Sequence, residues 1–347
     1  MYLFGPCSAE SRVQVMDTAR QIVEAVGERA PFIFRAGVWK PRTSPNTFQG
    51  AGEEALGWLQ EVKRTFKVPV ATEVATPEHV EAALNADIDY LWIGARTSAN
   101  PIAVQAIADA IKAKGERLKV KGLLIKNPVN QDADLWLGNI ERLERTGVPV
   151  MVIHRGCGHQ PCWSMAHKVR TARPDVPMLL DPSHLSGDAE KVPTLLHKVE
   201  ELGLDGAMIE VHCAPEKALS DRKQQIRPEV LRMMEGKPLR NLQGITKESL
   251  RVDRLKEGYT LNWLRAEIDE LDDALWETIA ARMDVSRRIG AWKKEHGVTP
   301  LQPERYQQIV EKIKAKGARL EAQEGLNTDF MLRIWDIIHE ESLRQQH

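Results

Sequence analysis

Cysteine is scarce in this chain of 347 residues, which contains four: Cys7, Cys157, Cys162 and Cys213. So few thiols over this length exclude a disulfide-rich scaffold, the class of small secreted domains that several bridges hold together. Each cysteine is therefore expected to be a buried thiol or a metal ligand. Because the amino terminus also lacks the charged and apolar regions of a signal peptide, we expect a cytoplasmic protein.

Long apolar runs and an excess of charge of one sign are also missing. No stretch approaches the roughly 18 consecutive apolar residues of a membrane-spanning helix, which argues against a membrane protein. The 48 lysine and arginine residues are balanced by 49 aspartate and glutamate residues, and the formal net charge is -1. This balance gives no indication of nucleic acid or an anionic membrane as a partner, so any anion site must be local.

Short apolar runs alternate with amphipathic helical stretches along the first 240 residues. There are eight such runs: Tyr2–Phe4, Phe32–Phe34, Val68–Ala71, Tyr90–Ile93, Leu123–Ile125, Val148–Ile153, Met178–Leu180 and Ala207–Ile209. Buried strands that alternate with helices predict a parallel sheet covered on both faces. Eight units favour an α/β fold of the closed (β/α)8 barrel type, and a doubly wound open sheet is the competing architecture.

Polar and charged side chains follow these runs, where the strands of a barrel converge on one face. Five cations lie in such positions: Arg35, Lys40, Arg96, Lys126 and Arg155. Five cations indicate a multiply anionic substrate, such as a phosphate ester with a second acidic group. The same set of loops carries side chains that are typical ligands of a divalent metal: Cys7, His184, Glu210 and Asp221.

Each of these residues also has an ordinary structural interpretation. Alone, His184 could be a satisfied histidine of the surface or core, and Cys7 could be a small packed apolar residue. Asp181 could cap the helix that follows it. The predicted convergence of all of them on one barrel face favours a functional site.

Six motifs in the first 240 residues resemble, in order, those of the type Iβ 3-deoxy-D-arabino-heptulosonate 7-phosphate (DAHP) synthases. They are Gly5–Ser11, Arg35–Gly37 with Lys40–Pro45, Gly94–Arg96, Asp181–His184, Glu210–His212 and Leu219–Asp221. The resemblance implies a metal-dependent condensation of phosphoenolpyruvate with erythrose 4-phosphate. A sister enzyme, 3-deoxy-manno-octulosonate 8-phosphate synthase, uses arabinose 5-phosphate instead, and the loop Lys40–Ser44 differs from the one in that family.

The resemblance also implies roles for individual residues. A divalent metal, Mn²⁺ or a similar ion, would be held by Cys7, His184, Glu210 and Asp221. Phosphoenolpyruvate would be held by Arg35, Lys40, Arg96, Lys126 and Arg155. Erythrose 4-phosphate would be held through its phosphate by the loop residues Pro41, Arg42, Thr43 and Ser44.

The character of the sequence changes after Pro238. Residues 241–257 carry polar turns and glycines and predict a linker. From about Leu261, apolar residues recur at intervals of three or four, which predicts one long amphipathic helix that reaches Gly290 or beyond. We therefore expect a barrel domain at 1–240 and a helical domain at 258–347.

Two shorter helices are expected after the long one. The second is predicted from about Glu304 to Glu321, and the third from Asn327, as its cap, to about Arg344. At about 100° per residue, Arg282 and Lys293 return to nearly the same face of the long helix, whereas Arg265 points elsewhere. These cations could equally be surface residues that lie along an apolar stripe.

The last 90 residues resemble the all-helical chorismate mutases, whose fold is an intertwined homodimer. The resemblance rests on Leu264–Asp272, Ala281-Arg282, Lys293, Arg305 and Glu341–Gln346. It implies that chorismate carboxylates would be bound by Arg265 of the partner subunit, Arg282 and Arg305. Lys293 and Gln346 would hydrogen-bond the ether oxygen, and the remaining contacts would come from Gln302 and Ser342.

Together the two resemblances predict a bifunctional enzyme of the shikimate pathway, a homodimer through the helical domain with a homotetramer as the larger alternative. Because no regulatory domain precedes the first predicted strand, we expect chorismate or prephenate to inhibit the synthase through the helical domain. The competing hypothesis is a helical module that binds an effector and dimerises without catalysis. It is supported by Gln302 and Tyr306, which stand where acidic residues are common in the mutase family.

Overall fold

The computed structural model of the chain describes residues 1–27, 31–41, 46–115, 119–158, 160–234, 257–299 and 302–346. The chain divides into two compact units, Met1–Glu267 and Ile268–His347. Nearly all of the predicted linker, 241–257, lies outside the described residues, so its bounds stay a prediction. Among the residues described, no helix combines the length and the apolar character needed to cross a membrane.

The described part of the first unit contains eight parallel strands that close into a barrel. They are β1 Tyr2–Gly5, β2 Ile33–Arg35, β3 Val70–Val74, β4 Tyr90–Ile93, β5 Gly122–Lys126, β6 Val150–His154, β7 Met178–Leu180 and β8 Gly206–Glu210. The barrel closes where β8 pairs with β1, with Leu3 beside Met208. The predicted barrel is confirmed, and the open sheet was the wrong alternative.

Two strands begin two residues later than predicted because a proline precedes each of them. Pro69 and Pro149 have no backbone N–H to give to a strand ladder, so β3 and β6 start at the next residue. Their carbonyl oxygens still take part, accepting the N–H groups of Phe34 and Leu123 at 2.8 Å. Both prolines therefore mark the entry to a strand.

Helices surround the barrel and bury an apolar face against it. They are α1 Arg12–Val26, α2 Glu54–Phe66, α3 Pro77–Asn85, α4 Ala95–Ser98, α5 Pro101–Lys112, α6 Ala133–Glu144, α7 Trp163–Ala172, α8 Pro182–Ser186 and α9 Val192–Glu201. Several begin at a side-chain cap: Ser11 accepts the N–H of Gln14, and Asp132 accepts that of Leu135. These caps fix the residue at which each helix begins, and thus the end of the loop that follows the preceding strand.

The barrel has two buried apolar layers. One fills the barrel itself and consists of Leu3, Ile33, Ala71, Trp92, Leu124, Met151, Ile153, Leu179 and Met208. The other lies between strands and helices and includes Val15, Ile22, Leu59, Ile107 and Trp136. A filled interior leaves the carboxyl-terminal face as the place where a substrate can bind.

The helical region consists of α10 Glu257–Glu295, α11 Pro303–Glu324 and α12 Thr328–Arg344. The three predicted helices are confirmed, and Asn327 caps the last by accepting the N–H of Phe330 at 3.0 Å. Helix α11 ends three residues later than predicted, because Gly325 in a left-handed conformation provides the stop. The unit boundary falls within α10, whose Trp263 is buried in the first unit and donates to the carbonyl of Leu202 at 3.1 Å.

Candidate active sites

A cavity of about 310 Å³ lies among the loops that follow the strands of the barrel. Four of the five predicted cations line it: Lys40, Arg96, Lys126 and Arg155. The lining also includes Pro41, His184 and Asp221. The loops thus bring together residues that are up to 181 positions apart in the sequence, while Arg42, Thr43 and Ser44 lie outside the described residues.

The fifth cation, Arg35, is almost fully buried at the end of β2. Its guanidinium lies 3.2 Å from Oε1 of Glu210, donates to the carbonyl of Cys7 at 3.2 Å and sits over the ring of Trp92. Arg35 is thus engaged with two of the predicted metal ligands and does not border the cavity. In this geometry it balances the negative charge of Glu210 and holds the backbone of Cys7 in place.

Three of the four predicted metal ligands form a cluster. The ligand atoms of Cys7, Glu210 and Asp221 all lie within 4.8 Å of one another, and the Cys7 thiol lies 3.0 Å from Oδ2 of Asp221. Burial, followed by the charge of Glu210, raises the pKa of the Cys7 thiol. A buried thiol packed against two carboxylates is a donor set that suits a divalent cation, whose charge would favour the thiolate.

The fourth predicted ligand, His184, is oriented toward this cluster by Asp181. Nδ1 of His184 lies 2.9 Å from Oδ2 of Asp181, and Nε2 lies 3.8 Å from Oε1 of Glu210. An imidazole with one ring nitrogen close to a carboxylate and the other directed at a cation site is the usual arrangement of a metal-binding histidine. The four residues together fit a divalent metal with one sulfur, one nitrogen and carboxylate oxygen ligands.

Asp181 also holds the cavity residue Lys126. The Lys126 ammonium lies 2.6 Å from Oδ2 of Asp181, which is fully buried. Burial alone would raise the pKa of this carboxyl group, but the charges of His184 and Lys126 outweigh it and hold the pKa well below its usual value. Asp181 therefore stays ionised, and it also caps α8 by accepting the N–H of His184.

Lys40 is held by Glu73, the residue before the end of β3. Nζ of Lys40 lies 3.7 Å from Oε2 of Glu73, and both side chains are buried. Burial would lower the pKa of Lys40, but Cys7, Glu73 and Glu210 raise it, so the amine stays charged. This cation is thus available to an anion that enters the cavity.

Asn127 links the loops that carry Lys126 and Arg155. Its side-chain oxygen accepts the N–H of Arg155 at 2.7 Å, and its amide donates to the carbonyl of Gly156 at 3.0 Å. Asn127 is fully buried. A buried amide with donor and acceptor both satisfied fixes the relative position of two cavity cations.

Several residues of the site were missed from the sequence. Glu73 lies two residues after the run Val68–Ala71 and could have been found by the same rule that identified the cations. Asp181 belongs to a motif named above, but the sequence indicated only a helix cap there and not its contacts with Lys126 and His184. Gln224 and Gln225, which contact Glu210 and Cys7, lie in a polar turn without any periodic or motif signal. Trp92 lies in a predicted strand, and nothing in the sequence indicates that its ring contacts Arg35.

The helical unit brings four of the predicted residues together in two pairs, which join α10 to residues 342–346. Lys293 donates to the side-chain oxygen of Gln346 at 3.1 Å, and Arg282 donates to the hydroxyl of Ser342. The helices approach closely at Gly290, where an added Cβ would lie 2.6 Å from Cα of Gln346. Arg282 and Lys293 therefore face the same helix, as their spacing predicts.

The other predicted residues of the helical region lie on α10 and at the beginning of α11. Gln302 and Arg305 are exposed at the beginning of α11, where Arg305 donates to Gln308 at 3.2 Å. Arg265 is exposed on the part of α10 that belongs to the first unit. Tyr306 donates to Asp336 at 3.0 Å.

Comparisons with known proteins agree with both parts of this architecture. Residues 1–237 match the model of the DAHP synthetase I family, and residues 264–347 match that of chorismate mutase type II. A phospho-2-dehydro-3-deoxyheptonate aldolase of Thermotoga maritima is 31% identical over 230 residues, which cover 64% of this chain and 64% of that protein. The chain thus spans somewhat less than two thirds of that relative.

Two further relatives match one part each. A 2-dehydro-3-deoxyphosphooctonate aldolase of Bordetella pertussis is 29% identical over 238 residues, 62% of this chain and 81% of the relative. A 4-amino-4-deoxychorismate mutase of Streptomyces venezuelae is 38% identical over 90 residues, 26% of this chain and 84% of the relative.

Solved structures show the same fold for the first part. The crystal structure of a phospho-2-dehydro-3-deoxyheptonate aldolase (DAHP synthase) from Thermotoga maritima superposes with a TM-score of 0.58 at 28% identity, and the match covers 68% of each chain. A truncated 3-deoxy-D-arabino-heptulosonate 7-phosphate synthase from the same organism, at 24% identity and a TM-score of 0.54, supports the fold. Both matched families are enzyme families, one of transferases and one of isomerases. The chain belongs to the DAHP synthetase I family, and its last 84 residues form a chorismate mutase type II domain.

Proposed function

We propose that the barrel condenses phosphoenolpyruvate with erythrose 4-phosphate to give DAHP and phosphate. The observation that carries this proposal is the cavity in which Lys40, Arg96, Lys126 and Arg155 lie beside His184 and Asp221. A cavity with four cations suits a substrate that carries both a phosphate and a carboxylate. The size of about 310 Å³ suits small metabolites of this kind.

In the proposed reaction, the methylene carbon of phosphoenolpyruvate forms a bond to the aldehyde carbon of the sugar. Water adds to the cationic carbon that results, and phosphate leaves from the hemiketal. Lys126, fixed by Asp181, and Lys40, fixed by Glu73, would hold the anionic groups of phosphoenolpyruvate in one orientation. Arg96 and Arg155 would stabilise the charge of the phosphate.

The proposed metal site consists of Cys7, His184, Glu210 and Asp221. A divalent metal such as Mn²⁺ would supply Lewis-acid polarisation of the aldehyde oxygen. Asp181 would keep the imidazole of His184 in position, and Arg35 would keep Glu210 in position. The protein thus contributes a rigid frame in which the aldehyde and phosphoenolpyruvate meet.

Arabinose 5-phosphate is the second candidate sugar, because the Bordetella relative is named a 2-dehydro-3-deoxyphosphooctonate aldolase. The loop Lys40–Ser44 favours erythrose 4-phosphate. In this loop Pro41, Arg42, Thr43 and Ser44 would hold the sugar phosphate. Pro41 lines the cavity, which supports this role for the loop.

The experiment that tests the barrel proposal follows phosphoenolpyruvate consumption by metal-stripped protein. Consumption with erythrose 4-phosphate should be lost after chelation and should return when Mn²⁺ is added. A reaction that proceeds with arabinose 5-phosphate and not with erythrose 4-phosphate would reassign the sugar. No consumption of phosphoenolpyruvate with either sugar and any divalent metal would overturn the proposal.

We further propose that the helical domain rearranges chorismate to prephenate. The pair formed by Lys293 and Gln346 supports this, since two adjacent donors suit the ether oxygen whose bond breaks. Arg282 and Arg305, with Arg265 of the partner subunit, would bind the two carboxylates, and Gln302 and Ser342 would contact the rest of the substrate. Catalysis would be restraint of a reactive conformation together with charge stabilisation at the ether oxygen.

Two alternatives to this second activity are open to the same experiment. The Streptomyces relative is named a 4-amino-4-deoxychorismate mutase, which makes the amino analogue a second candidate substrate. The other alternative is a domain that binds prephenate without catalysis. Lys293→Ala should reduce turnover of chorismate by about a hundredfold or more, in line with the loss of one preorganised donor. A wild-type domain that binds prephenate but converts neither substrate would contradict the mutase proposal.

The proposed assembly is a homodimer through the helical domain, with a homotetramer as the larger alternative. The exposed apolar residues of α10 support it: Leu264, Ile268, Leu271, Leu275, Val285, Ile289 and Trp292. Within Leu264–Leu275 and again within Val285–Trp292 they recur every three or four residues, which gives two apolar stretches that a second copy of the helix can cover. Sedimentation velocity at micromolar concentration should show a species of twice the chain mass or more.

The proposal includes the domain bounds 1–240 and 258–347, a linker at 241–257, and a cytoplasmic location. The four cysteines are free thiols, which fits a reducing compartment. Feedback inhibition of the synthase by chorismate or prephenate bound to the helical domain completes the proposed function.

A further inference from the structure

The loop that carries Asp221 has an unusual backbone conformation. Asp221 has a φ of 46°, in the left-handed region that residues other than glycine rarely adopt. Such a conformation persists where the surroundings hold it in place. The side chains that hold this loop are therefore informative about the site.

Gln225 connects the Asp221 loop to the Cys7 loop. Its side-chain oxygen accepts the N–H of Cys7 at 2.9 Å, and its amide donates to the carbonyl of Ser220 at 2.8 Å. The side chain is 1% exposed. One buried amide thus sets the distance between two of the proposed metal ligands.

Gln224 acts on a third proposed ligand. Its amide donates to Oε2 of Glu210 at 2.8 Å, while Arg35 lies 3.2 Å from Oε1 of the same carboxylate. Both oxygens of Glu210 therefore have a fixed partner. The backbone N–H of Gln224 also donates to the carbonyl of Asp221 at 3.2 Å, which closes the turn.

We propose that Gln224 and Gln225 are positioning residues that preorganise Cys7, Glu210 and Asp221 for a divalent metal. The inference rests on the metal site of the proposed function. A neutral amide suits these places, because it supplies donors and an acceptor without adding a further negative charge beside two carboxylates and a thiol. Groups that orient metal ligands in this way commonly change metal affinity by about 10- to 100-fold.

The test compares metal binding by full-length protein after metal removal. Gln224→Met and Gln225→Met keep the length of the side chain and remove its hydrogen bonds. Gln60→Met is the matched control. Gln60 lies on helix α2 and not in a cavity loop, and its side-chain amide donates to the carbonyl of Ala86 at 3.0 Å. Mn²⁺ affinity is measured from the electron paramagnetic resonance signal of the free ion.

The expected result is Mn²⁺ binding that is about 10- to 100-fold weaker in Gln224→Met and Gln225→Met and unchanged in Gln60→Met. At saturating Mn²⁺, the KM for phosphoenolpyruvate should stay close to the wild-type value, because neither glutamine lines the cavity. If Gln225→Met fails to fold, Gln225→Asn replaces it, which stays neutral and polar but is one methylene too short to keep both hydrogen bonds.

Three results would overturn the inference or its basis, and they differ from one another. Wild-type affinity for Mn²⁺ in Gln224→Met and the folded Gln225 variant would refute the positioning role while leaving the metal site intact. A lower melting temperature with unchanged Mn²⁺ affinity would show that the glutamines serve stability alone. Wild-type protein that binds no Mn²⁺ would refute the proposed metal site itself.

Discussion

At the scale of single residues, the barrel site is a set of charges that hold one another in place. Asp181 pairs with Lys126 and His184, and Glu210 pairs with Arg35. Removing one partner of such a buried pair leaves an uncompensated charge, which typically destabilises a protein by about 3–5 kcal/mol. The predicted cations are therefore embedded in a frame of carboxylates, and the frame determines their positions.

His154 gives a prediction for the dependence of stability on pH. Burial lowers the pKa of His154 to about 4, even though its Nε2 lies 2.6 Å from the carbonyl of Pro161. Its Nδ1 is buried without a partner, so a second proton has no acceptor. The unfolded chain takes up that proton near its ordinary pKa of 6.5. The free energy of unfolding should thus fall as the pH drops from 6.5 toward 4, by on the order of 3 kcal/mol.

The measurement is urea unfolding of the wild type and of His154→Gln at several pH values between 7.5 and 4.5. The substituted side chain cannot take up the proton, so the variant should lose less stability on acidification. The difference between the two profiles isolates the effect of His154. The pKa of His212 is raised to about 9, so the stability that His212 contributes is lost as the pH rises and not as it falls. Parallel profiles would contradict the prediction.

At the scale of elements, the ends of two neighbouring strands bring the side chain of one against the backbone that follows the other. Gly94 follows β4, and an added Cβ there would collide with the carboxylate of Glu73 near the end of β3. The φ of Gly94 is −72°, which any residue can adopt. The requirement for glycine is therefore steric and concerns the place of Glu73 beside Lys40.

Gly94→Ala should displace Glu73 and weaken the hold on Lys40. We expect the KM for phosphoenolpyruvate to rise roughly tenfold, the equivalent of about 1.4 kcal/mol in binding. Gly57→Ala is the control, because an added Cβ on this helix residue meets no atom within 4 Å. The check is steady-state kinetics at saturating Mn²⁺ and sugar phosphate, with thermal unfolding to establish that both variants fold. Equal KM values in both variants would show that Glu73 has room to move.

At the scale of the whole molecule, two compact units share one long helix. Helix α10 has 39 residues, which corresponds to a length of about 58 Å. Its first part, up to Glu267, belongs to the barrel unit, where Trp263 and Ala266 are buried. The two compact units are therefore continuous through one helix at their boundary.

Prephenate is predicted to lower the rate of the synthase reaction in the full-length protein. The midpoint of inhibition should match the affinity of prephenate for the helical domain, as linkage between the two sites requires. Arg282→Ala should weaken the binding of prephenate and raise the midpoint of inhibition by the same factor, because Arg282 is proposed to bind a carboxylate of this ligand. Synthase rates measured across a prephenate titration, with calorimetry for affinity, provide the check. A rate that stays constant at saturating prephenate would refute the regulation.

Much of the architecture could be predicted because it depends on local pattern. Each strand is a short apolar run ended by a polar turn, and the eight runs gave the barrel before any contact was known. Asn327 was identified as a cap because a side-chain acceptor before an amphipathic stretch satisfies the first free N–H groups of a helix. The rule that active residues follow the strands of a barrel also led to Lys40 and Lys126.

The partners of those residues were decided by the tertiary structure alone. Asp181 lies 55 positions from Lys126, and Gln225 lies 218 positions from Cys7. Their contacts form only when the barrel closes, because hydrogen bonds between distant loops leave no period or spacing in the sequence. By itself the sequence determined the strands, the helices and the types of side chain at the site. The closed barrel determined which charge neutralises which, and that depends on distances between loops that no local pattern contains.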